Sequence, residues 1–284
     1  MIKIEGRKTD LGGGMVVHRI LPYRSKRMVG PFCFLDHMVP VTIKPDQNSD
    51  VRPHPHIGLS TLTYLFEGHI VHRDSLGTVA TIKPGEVNWM TSGKGISHSE
   101  RSVASEIHQG RKLDGLQFWV ALPDGQEDID PSFNHYEQNQ IPFHENKTRK
   151  ITVVAGEALD MKSPVVTSSP MIFMTIESYE DFTFEFAIPN FELAAYVANG
   201  EIETSQTEMN QMLVFDVNTK LAVNIKKNSK IIIIGGVPFT TPRYLWWNFV
   251  SSSKEKIEIA KNEWKSGSFP AVPGETERIP LPEQ

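Results

Sequence analysis

Two pairs of metal-capable side chains, each pair separated by a single residue, constrain this chain more than any other feature. His54 and His56 stand in Arg52-Pro53-His54-Pro55-His56, and His98 and Glu100 in Gly95-Ile96-Ser97-His98-Ser99-Glu100. Residues two apart point to the same face of a β-strand. Such pairs therefore predict strands, and two of these strands side by side would aim three imidazoles and one carboxylate at one point. Neutral imidazole suits iron, nickel, copper and zinc, and a carboxylate adds charge and oxygen character. A donor set of this size leaves positions open on a six-coordinate ion, as at the two-histidine-one-carboxylate iron sites. Structural zinc usually takes four closed ligands with cysteine among them, and the one cysteine, Cys33, sits beside Phe32, Phe34 and Leu35. The pattern favours a catalytic type of site over a structural one. Spacing alone leaves open that these are four ordinary polar residues of strands or loops.

The rest of the chain agrees with strands. Ser60–Phe66, Gly115–Leu122, Lys150–Val154, Met171–Ile176 and Phe182–Phe186 are short runs rich in β-branched and aromatic residues, punctuated by Gly, Pro, Asn and Asp. Many such runs indicate an all-β sandwich or barrel. One helix is expected near the C-terminus: Ser252 would cap it, Glu255 would complete a capping box, Ile257, Ala260 and Trp264 would share a face, and Gly267 would end it. Beyond it, Phe269–Glu275 reads as an extended segment on the surface. An internal echo links Tyr64-x-x-x-Gly68-x-Ile70 to Tyr196-x-x-x-Gly200-x-Ile202 at an offset of 132 residues. Carried back, that offset sets Phe186 and Ile188 where the first half has His54 and His56. All ten histidines lie between His18 and His144, so histidine chemistry is confined to the first half. A polar, proline-containing stretch at 139–149 supplies a boundary, dividing 1–143, a metal-binding unit, from 144–284, a unit without ligands that ends in the helix and an extended tail.

Composition narrows the setting. With 39% hydrophobic and 22% charged residues the chain reads as soluble and globular. A net charge of −5 with no basic tract argues against direct nucleic-acid binding. No apolar run reaches membrane-spanning length, the N-terminus lacks a signal-peptide pattern, and a lone cysteine favours a reducing compartment. A cytoplasmic protein, expected to be monomeric, is the reading.

Beyond the ligand pairs, longer motifs resemble the pirin family. They are Arg52 to Gly68, His72-Arg-Asp-Ser-Leu-Gly77, Pro84-Gly-Glu-Val-Asn-Trp-Met90, Gly93 to Glu100, and upstream Gly30 to His37. Trp246 to Ser253 and Ile279 to Glu283 resemble bacterial members, so the likeness touches nearly the whole chain. It implies an all-β bicupin, two packed cupin (jelly-roll-like) barrels with a short C-terminal helix, of which the N-terminal barrel holds one divalent metal ion. By position the ligands are His54, His56, His98 and Glu100, with iron expected first and nickel, manganese, copper, cobalt or zinc as alternatives. Relative to the wider cupin pattern, no glutamate follows His56 at the usual gap; His98 and Glu100 fill those roles in pirins. The likeness implies a quercetinase-type dioxygenase acting with O2 on a flavonol, aromatic or enediol substrate, with Glu100 as the catalytic base. The alternative is a non-enzymatic, metal- or redox-dependent regulator acting through a protein partner; a third reading is a stress-linked metal protein with neither role.

Other residues carry less. His72 either orients a ligand by hydrogen bonding or anchors a turn, and Asp36 and His37 either do the same or shape the pocket mouth. His108, His135 and His144 read as surface residues, Trp246 and Trp247 as packing, and Glu86 and Trp89 as part of the turn and strand before the second ligand pair. Gly12-Gly13-Gly14 lacks the Lys-Ser or Lys-Thr of a phosphate cradle. Ser97 and Ser99 lack the glycines of a nucleophile elbow.

Overall fold

Each expected run becomes a strand of an antiparallel sheet. The computed structural model describes residues 1–11, 15–47 and 49–283, so the triple glycine at 12–14 lies outside the described residues. The chain divides into two compact units whose segments interleave. One comprises residues 10–16, 40–135 and 240–284; the other comprises 1–9, 17–39 and 136–239. The passage at 135/136 lies near the expected boundary at 143/144, while the terminal segments each belong to the unit formed by the opposite half of the chain.

The first unit is the one with the histidine pairs. Val51–His56, Ile96–Arg101, Ile70–Asp74 and Val79–Ile82 lie side by side in that order, with Val51–His56 on the edge. A second layer contains Val87–Thr91, Leu59–Glu67 and Arg111–Ala121 as neighbours. Proline donates no ladder hydrogen bond, which fits Pro53 and Pro55 to an edge strand. The C-terminal helix, α1 (Lys254–Ser266), buries Ile257, Ala260 and Trp264 as its spacing predicts, and Gly267 ends it in the left-handed conformation at φ 78°. These side chains pack with Ile57, Phe249 and Phe269, and Trp246 and Trp247 close over them, the packing role expected of that pair.

One local expectation is corrected. The N-cap is Ser253, not Ser252; its hydroxyl accepts the Lys256 N–H at 3.4 Å. Ser252, one residue before the cap, donates its N–H to the Glu127 carboxylate at 2.8 Å. The tail after α1 runs over the surface as expected, with Pro270, Ala271, Pro273 and Gly274 exposed, and is pinned by Phe269 and Val272, which are 5% and 4% exposed.

The other unit has a seven-stranded and a four-stranded sheet. Its central strands are Glu192–Asn199, Lys230–Gly236 and Met171–Ser178. Its interior is a continuous apolar cluster in which Phe186 takes part and against which Ile188 packs. Of the residues that the offset of the internal echo sets at His54 and His56, Phe186 is therefore core and Ile188 packs at its margin. The echo has the same form in both units: a strand bearing Tyr64 or Tyr196, a left-handed glycine at Gly68 or Gly200, then a second strand.

Candidate metal centre

Strand register builds the centre. His98 lies opposite His54 on one side and opposite Asp74 on the other, while Ile96 faces His56 and Glu100 faces His72. Alternation then places three pairs on one face of three adjacent strands: His54 and His56, His98 and Glu100, His72 and Asp74. A bulge between His98 and Glu100 shifts the register against the edge strand, so Glu100 pairs with Val51.

Three imidazoles converge. One ring nitrogen from each of His54, His56 and His98 lies within 4.8 Å of the others. His56 Nε2 and His98 Nε2 stand 3.1 Å apart. Two nitrogens bound to one ion at about 2.1 Å, with a right angle between the bonds, would be about 3.0 Å apart. All three rings are buried.

The outer nitrogens fix which nitrogen faces inward. His54 Nδ1 donates to the Arg52 carbonyl at 2.9 Å, and His56 Nδ1 donates to the Asn248 carbonyl at 3.1 Å. A carbonyl can only accept, so each neutral ring presents an Nε2 lone pair. His98 is set by a relay: His72 Nε2 donates to Asp74 Oδ2 at 3.0 Å, leaving His72 Nδ1 to accept from His98 Nδ1 at 3.4 Å. Each of the three converging rings thus has the outer partner that a metal-binding histidine needs.

Burial also keeps these rings neutral. It is the main cause that lowers His54 to about 4, with the neighbouring His72 adding and the Arg52 carbonyl opposing. Burial first, and neighbouring histidines second, hold His56 and His98 well below the usual imidazole value. Asp74 is fully buried; burial acts upward on its carboxyl, but hydrogen bonds from His72 and Thr78 outweigh it and leave the group below its ordinary value. Glu100 differs, because burial alone pushes its carboxyl up to about 7. Three lone pairs aimed at one buried point, with no proton among them, are a donor set that fits a divalent cation.

Aromatic rings wall the site. The edge of Trp119 meets His56 with ring centres 5.1 Å apart, and Phe133 stacks on His72 at 4.4 Å. The structure brings three of the four expected ligands together, and Glu100 stands on the same strand and face as His98. His72 lies within the strand Ile70–Asp74 against His98, and its partner Asp74 anchors the turn that follows by accepting the Leu76 and Thr78 amides at 2.9 and 3.0 Å. Asp36 and His37 belong to the other unit, where Asp36 takes a two-pronged bond from Arg19 and His37 bonds the Tyr196 hydroxyl. His108 and His144 are exposed, and His135 is half-buried against Asn88. Trp89 is buried in its strand, and Glu86 accepts the Lys83 amide in the preceding turn. Sequence reasoning left Asp74 without a role. The signal was present, for His72-x-Asp74 repeats the two-residue spacing of the ligand pairs. The Asn248 carbonyl had no such signal.

One β-unit with a three-histidine cluster and one with an apolar interior define a bicupin in which, among the described residues, one cupin carries a cluster that could hold a metal ion. The pirin family model matches residues 14–120, and the model of the pirin C-terminal cupin domain matches residues 171–270. The chain belongs to the pirin family. It is 48% identical to a pirin-like protein of Caulobacter vibrioides over 98% of each chain. It is similar to a crystal structure of quercetin 2,3-dioxygenase from Acinetobacter baumannii, with 35% identity, a TM-score of 0.92, and coverage of 100% of this chain and 95% of that one. A bacterial pirin from Escherichia coli, solved in complex with nickel(II), shares the fold at 17% identity and a TM-score of 0.65, over 84% of this chain and 99% of that one.

Proposed function

We propose that this protein is a mononuclear metal-dependent dioxygenase of the quercetinase type, cleaving a flavonol or related enediol with O2 in the cytoplasm. The observation that carries the reading is the convergence of His54, His56 and His98 with every outer ring nitrogen hydrogen-bonded inside the protein. These three residues would hold the ion through Nε2, with Glu100 as fourth donor and iron as the metal. When bound, the ion supplies Lewis acidity toward a substrate hydroxyl and a redox partner for dioxygen.

The chain's own residues do the rest. Glu100, two residues from His98 on the same strand, would be the carboxylate that takes the proton of an acidic enol hydroxyl. Trp119 and Phe133 keep water from the rings they cover. Asp74 and His72 hold His98 in the tautomer that leaves its Nε2 free. The relatives named as quercetin 2,3-dioxygenases support the substrate class.

Metal analysis of the purified protein, with oxygen uptake followed across flavonols and other enediols, tests the reading. Turnover is expected in the native protein and absent in His98→Ala and Glu100→Ala. Full metal occupancy without turnover on any substrate of the panel would refute the dioxygenase and leave a regulator. Stoichiometric metal at unchanged affinity in both variants would refute the ligand assignment.

A further inference from the structure

The two strands that carry the histidines have an inner and an outer side. The inner side of Ile96–Arg101 bears His98 and Glu100; the alternate residues Ser97, Ser99 and Arg101 point the other way. The tail that follows α1 occupies that other side. Ser97 Oγ donates to the Pro270 carbonyl, and Ser99 Oγ donates to Glu275 at 2.9 Å. Arg101 grips the same carboxylate with two nitrogens, Nε at 3.1 Å and Nη2, and Nη2 also reaches Glu277 at 3.0 Å. Three successive outward positions of one ligand strand are thus tied to a segment about 175 residues later in the chain.

The neighbouring edge strand is tied by the same segment. Ile279 N–H donates to the carbonyl of Pro53, the residue before His54, at 2.8 Å. Trp264 Nε1 then holds the Ile279 carbonyl at 2.9 Å, which fastens the far end of the tail to α1. At the near end the Phe269 ring lies against Gly95, where an added Cβ would come within 3.0 Å of it. A strand edge left open is a mobile, reactive border, and here the border that bears two ligands is covered.

We infer that residues 269–279 form a strap, locked by Glu275, that holds the two ligand-bearing strands in register from behind and so slows loss of the metal. Glu275 is a positioning residue in this scheme, since it touches no ligand and acts through Ser99 and Arg101. The inference rests on the metal reading of the three histidines.

The test uses full-length Glu275→Ala and the milder Glu275→Gln, with Glu258→Gln on the exposed face of α1 as a charge control. Amide hydrogen exchange is read in two places, residues 96–101 and Lys230–Gly236 of the other unit. Release of Co2+ to a chromogenic chelator is timed in parallel. Exchange at 96–101 is expected to rise at least tenfold in Glu275→Ala and less in Glu275→Gln, without change in Lys230–Gly236. Cobalt release should quicken at least fivefold. Unchanged exchange at 96–101 would overturn the strap. Faster exchange with cobalt release within twofold of the native rate would overturn its link to the metal. A native protein that takes up no cobalt would count against the metal reading instead, and the exchange arm would still decide whether the tail holds the strands.

Discussion

Asp74→Asn isolates the relay behind His98. The substitution keeps shape and volume in a fully buried position. The amide oxygen can still accept from Leu76 and Thr78, so the turn survives. What changes is the other atom, which now donates toward His72 Nε2 where a carboxylate accepted. His72 must then carry its proton on Nδ1, facing His98 Nδ1. His98 in turn must move its own proton to Nε2, the nitrogen aimed at the metal point. Two routes give the size of the effect. A hydrogen bond to a charged group contributes about 1.5–3 kcal/mol. Loss of an outer partner of a metal-binding histidine typically costs about 10- to 100-fold in affinity, or about 1.4–2.7 kcal/mol. The two agree, so Asp74→Asn should bind Co2+ about 10- to 100-fold more weakly in a chelator-competition titration, with the metal-free protein unfolding within about 1 kcal/mol of the native one. An affinity within threefold of native would refute the tautomer argument.

Three further outcomes follow from the packing. Glu127 is buried against Arg243 at 3.3 Å and accepts from Ser251 and Ser252 at 2.7 and 2.8 Å, so Glu127→Ala should cost about 3 kcal/mol or more in denaturant unfolding. Gly58 has φ +68° and an added Cβ would lie 1.9 Å from the Val250 carbonyl; Gly58→Ala should lower the melting temperature and weaken metal uptake together, because Gly58 sits two residues from His56. Arg101 holds the Glu275 carboxyl below its ordinary 4.5, outweighing the opposing effect of burial. A depressed folded value stabilises above the unfolded value and is lost as pH falls through the folded one. The stability gap between native and Glu275→Gln should thus be full at pH 7 and close on acidification below about 4.5, as read by urea unfolding across pH.

Much of this was legible because it is local. Runs rich in β-branched and aromatic residues such as Ser60–Phe66 and Phe182–Phe186 became strands, and the spacing of Ile257, Ala260 and Trp264 located the buried face of α1. The histidine pairs were legible for the same reason, as a two-residue period needs no knowledge of distant chain. What escaped was non-local. Ser252 was the expected cap, but the helix starts one residue later at Ser253, with the Ser252 amide held by Glu127 far upstream. The tail was legible as a surface segment, but nothing near Phe269 or Val272 announces the cover that those two side chains find. The partner that orients His56 is a backbone carbonyl 192 residues away, and every residue type has one.

That last separation bears on how the protein is made. All three converging histidines leave the ribosome with the first hundred residues, yet the carbonyl that orients His56 arrives with Asn248, and the amide that covers Pro53 with Ile279. A nascent or truncated chain ending between these points has the imidazoles without their full setting. On the metal reading proposed above, the full setting of the three rings waits for residues 248 and 279, and a fragment cut at residue 143 would retain every converging histidine yet make a poorer chelator than the whole.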